Sequence, residues 1–362
     1  MTIIGKTLTY YTIATIGCRP LSYVAIMNIS SDEEKQTRQF SYNSRYLIAS
    51  AFAIVIASAY FTLSHYALNL NFPLAKLQAL IDGTAHKPFQ YRILIPWMVG
   101  ALNGITGFSV IVLYKIVESI SVVGLIFSSR YFLRKYFEPP LVDLFAFGTA
   151  LLLPWHYLLP REIALVIPSD IPAAMFITLL LALMARKNWL WYYPVFAIAT
   201  FNRETTCFVT LIFILVYWNK FSYRVLFYHL ISQFLIWMAI KTGLWFLYAD
   251  NPGGLFELFH AGSNRSHIWS NIEFLISPKR VLILLSSFGF LWIPIILWYK
   301  LIDDYFINRA LWALITFFVA MLIIGNLNEI RIFGEWIPLV LTANFIIARK
   351  LFLKYELHKF SG

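Results

Sequence analysis

The chain is a succession of apolar runs, most of them 14–25 residues long, separated by short polar turns. The clear runs cover 47–65, 107–129, 141–158, 171–185, 188–201, 205–218, 224–248, 281–299, 310–326 and 333–348. That length suits an α-helix crossing, or buried in, a bilayer core about 30 Å thick. Lipid offers no hydrogen-bond partners, so a spanning segment must be helical or part of a closed barrel. Barrel strands alternate apolar and polar residues, and these runs do not. Hydrophobic residues fill 60% of the 362 positions and charged ones only 13%. That is about half the charge of a soluble domain, too little for a disordered chain or a soluble multidomain enzyme. The expected fold is all-α: a polytopic helical membrane protein with about ten transmembrane helices.

Three regions follow: a cytoplasmic N-terminal segment over 1–46, a single transmembrane domain over 47–348, and a basic cytoplasmic tail over 349–362. Residues 7–28 are interrupted by Arg19 and Pro20, so they do not read as a cleavable signal peptide, and Met27 is an alternative start to Met1. An outer loop over 66–106 carries an amphipathic stretch around Leu74–Ile81 and a short apolar stretch, 93–104, expected as an interfacial or re-entrant helix. A second long outer loop covers 249–280. Its His260 and His267 lack a carboxylate pattern and are a weak basis for metal binding.

The net charge of +11 invites a nucleic-acid reading, but its distribution argues otherwise. With the N-terminus cytoplasmic, 18 of the 29 Lys and Arg residues fall on the cytoplasmic side, 10 on the other, and Lys115 within a span. Every cytoplasmic turn holds at least a basic pair, as the positive-inside rule requires. Counting 93–104 as a full span would invert everything after it. Both termini are therefore expected in the cytoplasm, and nucleic acid is not an expected partner.

Four polar clusters on the outer side sit at the ends of apolar runs: Pro88-Phe89-Gln90-Tyr91-Arg92; Arg161-Glu162 with Ser169-Asp170-Ile171-Pro172; Asn202-Arg203-Glu204-Thr205; and Asn328-Glu329-Ile330-Arg331. Ionisable groups at membrane depth are costly and need partners or water, which makes them functional candidates. Each also has a structural reading. Asp170 before Ile171-Pro172 suits an N-cap, Arg203-Glu204 an internal ion pair, and Tyr91-Arg92 an interfacial anchor. Glu329 and Arg331, two apart, cannot form an i,i+4 helical pair but could face one cavity from a turn. Asp82 follows the amphipathic stretch in what reads as a solvated loop. The two cysteines form no zinc spacing, and no nucleotide-binding or hydrolase motif is present.

These features together resemble the glycosyltransferase-C (GT-C) superfamily, polytopic membrane enzymes that take sugars from polyprenyl-phosphate or polyprenyl-diphosphate carriers on the extracytoplasmic face. Phe89-Gln90-Tyr91-Arg92 followed by Leu94 and Pro96-Trp97, Ser169-Asp170-Ile171-Pro172 and Asn202-Arg203-Glu204-Thr205 also resemble segments of uncharacterised bacterial membrane proteins grouped near that superfamily. The likeness covers most of 45–348. It departs at 64–71, where the family carries an acidic residue and this chain has none; the first acid after that run is Asp82. The resemblance implies an inverting transfer with Asp170, Asp82 or Glu204, in that order, as base. Arg92, Arg203 and Arg331 would hold the leaving phosphate, with Gln90, Tyr91, Arg161, Glu162, Asn202 and Glu329 as further substrate contacts. It implies no resident cofactor, admits a divalent metal, and treats the lipid carrier as substrate in a bacterial inner membrane. The alternatives are a transporter or flippase for a lipid-linked or anionic solute, and a non-catalytic membrane subunit.

Overall fold

A computed structural model describes residues 48–139, 141–159, 165–254, 258–259 and 265–361. The chain divides into two compact units, Met1–Ala51 and Phe52–Gly362. Of the first, only Ile48–Ala51 is described, the opening turn of helix α1 (Ile48–Leu68). The second unit holds the rest of α1 and α2 (Leu77–Ile81), α3 (Leu94–Thr106), α4 (Val110–Leu133), α5 (Leu141–Tyr157), α6 (Asp170–Ala185), α7 (Trp189–Asn202), α8 (Cys207–Tyr217), α9 (Tyr223–Leu247), α10 (His267–Ile276), α11 (Pro278–Leu285), α12 (Trp292–Leu297), α13 (Tyr305–Ile324) and α14 (Ile337–Ser361). The one sheet among the described residues is a parallel pair, β1 (Leu70–Asn71) beside β2 (Leu165–Val166). The fold is all-α.

Among the described residues, five helical segments are long and apolar enough to cross a bilayer: α1, α4, α9, α13 and the stretch Ile330–Tyr355 that includes most of α14. The protein is an integral membrane protein. The expected ten spans are not matched by ten such helices. α3, α5, α6 and the segment Glu204–Tyr217 are apolar but shorter. The run 281–299, expected as one span, is broken into α11, α12 and two 3-10 turns. Phe288, Gly289 and Phe290 all take left-handed φ of 58–64°, which ends an α-helix. Hydropathy does not register this break, because both flanks and the break itself are apolar.

α6 organises the interior. Thirteen of its sixteen residues are buried, including both ends. A helix that is apolar all round belongs in a core, and α6 packs along α4 and against α7 and the 3-10 segment Ile330–Trp336. α9 is the opposite case. Its buried residues are Leu226, Gln233, Lys241 and Leu244, which share one stripe, and most of its other residues are exposed or half-buried. α1 and α4 are joined by a buried pair, His65 Nδ1 to Glu118 Oε1 at 2.8 Å. Gly107 ends α3 in the left-handed conformation, φ 69°, where glycine carries no steric penalty.

Candidate functional site

Three interruptions in the helical packing meet at one place. Asn202, the last residue of α7, donates from Nδ2 to the carbonyl of Ser169 at 2.9 Å, fixing the end of α7 to the start of α6. The next residue, Arg203, leaves the helix with an extended backbone, and a 3-10 turn over Glu204–Thr206 begins the segment leading into α8. The third interruption is the 3-10 segment Ile330–Trp336, buried along its whole length, ahead of α14.

Asp170 sits in the first turn of α6, where the helix dipole favours a carboxylate. It does not cap the helix. Ser169 holds the cap position, and the Asp170 side chain turns instead to two arginines. Arg203 Nη1 donates to Oδ1 at 2.7 Å and Arg331 Nη1 to Oδ2 at 2.6 Å. Arg203 Nη1 also lies 3.0 Å from Glu335 Oε1, which accepts from the Thr205 hydroxyl at 3.0 Å. Arg331 pairs with Glu329 as well, an ion pair that two-residue spacing allows because the backbone there is not α-helical. Asp170, Arg203, Arg331 and Glu335 are each at most 4% exposed. Arg203 lies between α7 and the following turn. Burial works against its charge, but Glu335, Asp170 and Glu204 hold its pKa above the ordinary arginine value.

Beside this group, Arg92 clasps Glu204 in a two-pronged pair, Nη2 to Oε1 at 2.6 Å and Nε to Oε2 at 3.3 Å. Such forked pairs fix orientation as well as charge. The Glu204 carbonyl accepts from Trp237 Nε1 at 3.1 Å, and the Glu204 side chain keeps 29% exposure, well above that of Asp170. Arg92 comes from the loop after α2, so that loop contributes to the cluster.

The other expected site residues divide. Tyr91 is buried, with a hydroxyl that meets no hydrogen-bond partner among the described residues; burial raises its pKa and keeps it a donor. Gln90 is occupied within its own loop, accepting from the Ala85 amide and donating to the Leu80 carbonyl, so it braces the loop and is not presented to a ligand. Asp82 is exposed, accepts from Gln78 at 2.9 Å, and does not join the cluster. Arg161 and Glu162 lie outside the described residues.

The sequence reading passed over Glu335 and Lys241. Glu335 stands four residues after Arg331 in an apolar run. Lys241 is an ionisable residue inside the α9 run, which is itself a signal of function at membrane depth. With them, four acidic groups (Asp170, Glu204, Glu329, Glu335) face four basic ones (Arg92, Arg203, Arg331, Lys241), so the cluster is neutral in formal charge.

An apolar groove of about 700 Å³ is lined by Phe333 of the segment Ile330–Trp336 together with Leu284, Phe288, Trp292, Leu314 and Phe318 among others. Phe333 is two residues from both Arg331 and Glu335, so one short segment faces the groove and supplies two members of the charged cluster. A polar centre next to an apolar groove of that size suits an amphiphile. Among the described residues, no set of three His, Cys, Asp or Glu side chains is placed to hold a metal ion. No protein-family model matches the chain, and neither curated proteins nor solved structures give a match to it.

Proposed function

We propose that the chain is a GT-C-type membrane glycosyltransferase that moves a sugar from a polyprenyl-phosphate donor to an acceptor on the extracytoplasmic face of a bacterial inner membrane, in cell-envelope polysaccharide synthesis. The observation that carries this reading is the segment Ile330–Trp336, which gives Arg331 and Glu335 to the charged cluster and Phe333 to the apolar groove. An amphiphile with an anionic head and a hydrocarbon tail would use both at once. In the reaction, the acceptor oxygen attacks the anomeric carbon and its proton passes to a carboxylate. The bond from that carbon to the phosphate oxygen breaks, and the lipid phosphate leaves with the electron pair.

The geometry supports Glu204 as the base ahead of Asp170. Guanidinium groups engage both oxygens of each carboxylate, but Asp170 is 1% exposed whereas the Glu204 side chain keeps 29% exposure. Asp170 is then a positioning residue for Arg203 and Arg331. Each of those arginines keeps a buried Nε–H without an acceptor among the described residues, a donor suited to the charge that develops on the leaving phosphate.

The test is transfer from a radiolabelled polyprenyl-phosphate sugar by the protein reconstituted in liposomes. Glu204→Gln should lower the rate by about 10²–10⁴-fold in a protein that still folds, checked by a cooperative thermal transition. Transfer at the unmodified rate by that variant would sink the assignment. A transporter reading draws on the break between α7 and α8, where charged groups interrupt two apolar helices. Movement of the labelled lipid across the liposome membrane without a glycosylated product would favour it.

A further inference from the structure

Lys241 is 7% exposed, and its Nζ meets no hydrogen-bond acceptor among the described residues. An ammonium group taken out of water without a partner is costly, and folded chains seldom leave one so. Its nearest acidic neighbour, Glu204, has both oxygens engaged by Arg92. Lys241 lines a cavity of about 170 Å³ with Tyr91, Glu204, Trp237, Thr242 and Trp245. Tyr91, which lines the same cavity, has a second buried polar atom without a partner among the described residues, its hydroxyl. The indole N–H of Trp237 is spent on the Glu204 carbonyl, which leaves its ring as an apolar wall.

The two free groups are an ammonium, which only donates, and a phenol, which can donate. The complementary ligand accepts hydrogen bonds and carries negative charge. The volume is roughly half the lower end for a drug-sized ligand, enough for an ionic head and not for a whole lipid. Lys241 is six residues from the end of α9, about 9 Å along the helix. Trp245, four residues further on and also lining the cavity, is 47% exposed. Tryptophan in that setting is usual at the level of lipid headgroups.

We propose that this cavity binds a phosphate group, held by the Lys241 ammonium and the Tyr91 hydroxyl against the Trp237 ring, and that it is separate from the Arg203 and Arg331 donors assigned to the leaving phosphate. The chemistry is the same whether the phosphate belongs to a soluble sugar phosphate or to a phospholipid headgroup, and the two sources can be told apart. In one arm, the full chain in phosphatidylcholine nanodiscs is titrated with glucose 1-phosphate by calorimetry, with glucose as the uncharged control. In the other, nanodiscs of mixed phosphatidylcholine and phosphatidylglycerol are examined by native mass spectrometry for phosphatidylglycerol retained on the protein.

Binding is expected in at least one arm. Lys241→Met should weaken it about tenfold or more, while Lys241→Arg should preserve most of it. Lys241→Met should also unfold at no lower temperature than the unmodified protein, because it removes a buried unpaired charge and keeps an unbranched side chain only one atom shorter. If it fails to fold, Tyr91→Phe, which deletes only the hydroxyl, carries the same test with a smaller expected loss. Undiminished binding in a folded Lys241→Met variant would overturn the proposal. So would the absence of binding in both arms, or glucose binding as tightly as its phosphate. The measurement needs no turnover. A chain that binds phosphate through Lys241 but transfers no sugar refutes the reaction and leaves the site standing. One that transfers sugar but binds without regard to Lys241 refutes the site alone.

Discussion

Arg331 reaches Asp170 across 161 residues of sequence, its Nη1 2.6 Å from Oδ2, while Arg203 takes the other oxygen of the same carboxylate. α6, the turn after α7 and the segment before α14 are thereby joined through one buried side chain. Such a carboxylate stabilises by compensating two guanidinium charges that cannot reach water, and its removal strands both.

Asp170→Asn is therefore expected to destabilise the protein by about 3–5 kcal/mol, read as a lowered midpoint in thermal unfolding of the purified protein. A variant that unfolds like the unmodified protein but transfers no sugar would return the base role to Asp170.

The His65–Glu118 pair gives a second test of buried charge. Both side chains are nearly inaccessible, at 1% and 3%. His65→Leu alone leaves Glu118 buried without its partner and should cost about 3–5 kcal/mol. His65→Leu with Glu118→Leu should recover most of that loss, because two apolar groups need no compensation. Equal destabilisation of the single and double variants would show that packing, not pairing, matters at this contact.

Gly334 is required by a close approach. A Cβ there would stand 2.1 Å from the Tyr157 hydroxyl and 2.6 Å from its Cζ. Gly334→Ala should destabilise by about 1–3 kcal/mol. Adding Tyr157→Phe should relieve part of this, since the hydroxyl is the nearest obstacle and has no hydrogen bond to lose. Thermal unfolding of the two variants side by side checks the order.

If the 700 Å³ groove holds the donor's hydrocarbon tail, filling it should discriminate by chain length. Leu314→Trp is expected to lower kcat/KM for a long-chain polyprenyl donor by about tenfold while leaving a short-chain analogue near its original value. Equal losses on both donors would argue against the groove as the tail site.

The positions of α4 and α9 were readable from unbroken hydropathy alone. The break between α7 and α8 was readable too, because Asn202-Arg203-Glu204 is polar enough to interrupt an apolar pattern. The break at Phe288–Phe290 was hidden, since a left-handed turn made of Phe-Gly-Phe looks like more helix to any count of apolar residues. In the site, Asp170, Arg203 and Arg331 each stood out as charges at run ends, but their mutual pairing depends on tertiary contacts 33 and 161 residues apart. Glu335 and Lys241 were obscured by their apolar neighbours. Gln90 and Asp82 were polar in the right region, yet each is served by a partner within its own loop.

α6, α7 and α8 contain 16, 14 and 11 residues, which at about 1.5 Å per residue gives lengths of roughly 24, 21 and 16 Å. None matches a hydrocarbon layer about 30 Å thick. The start of α6, the end of α7 and the start of α8 carry or adjoin Asp170, Arg203 and Glu204. The missing helical length thus falls where the charges are. A chain of longer, better-matched helices would fill that depth with side chains facing one another across an apolar seam. Here the shortfall falls where Asp170, Arg203 and Arg331 pair with one another inside the protein, so ionised groups are gathered among helix ends instead of along an apolar seam.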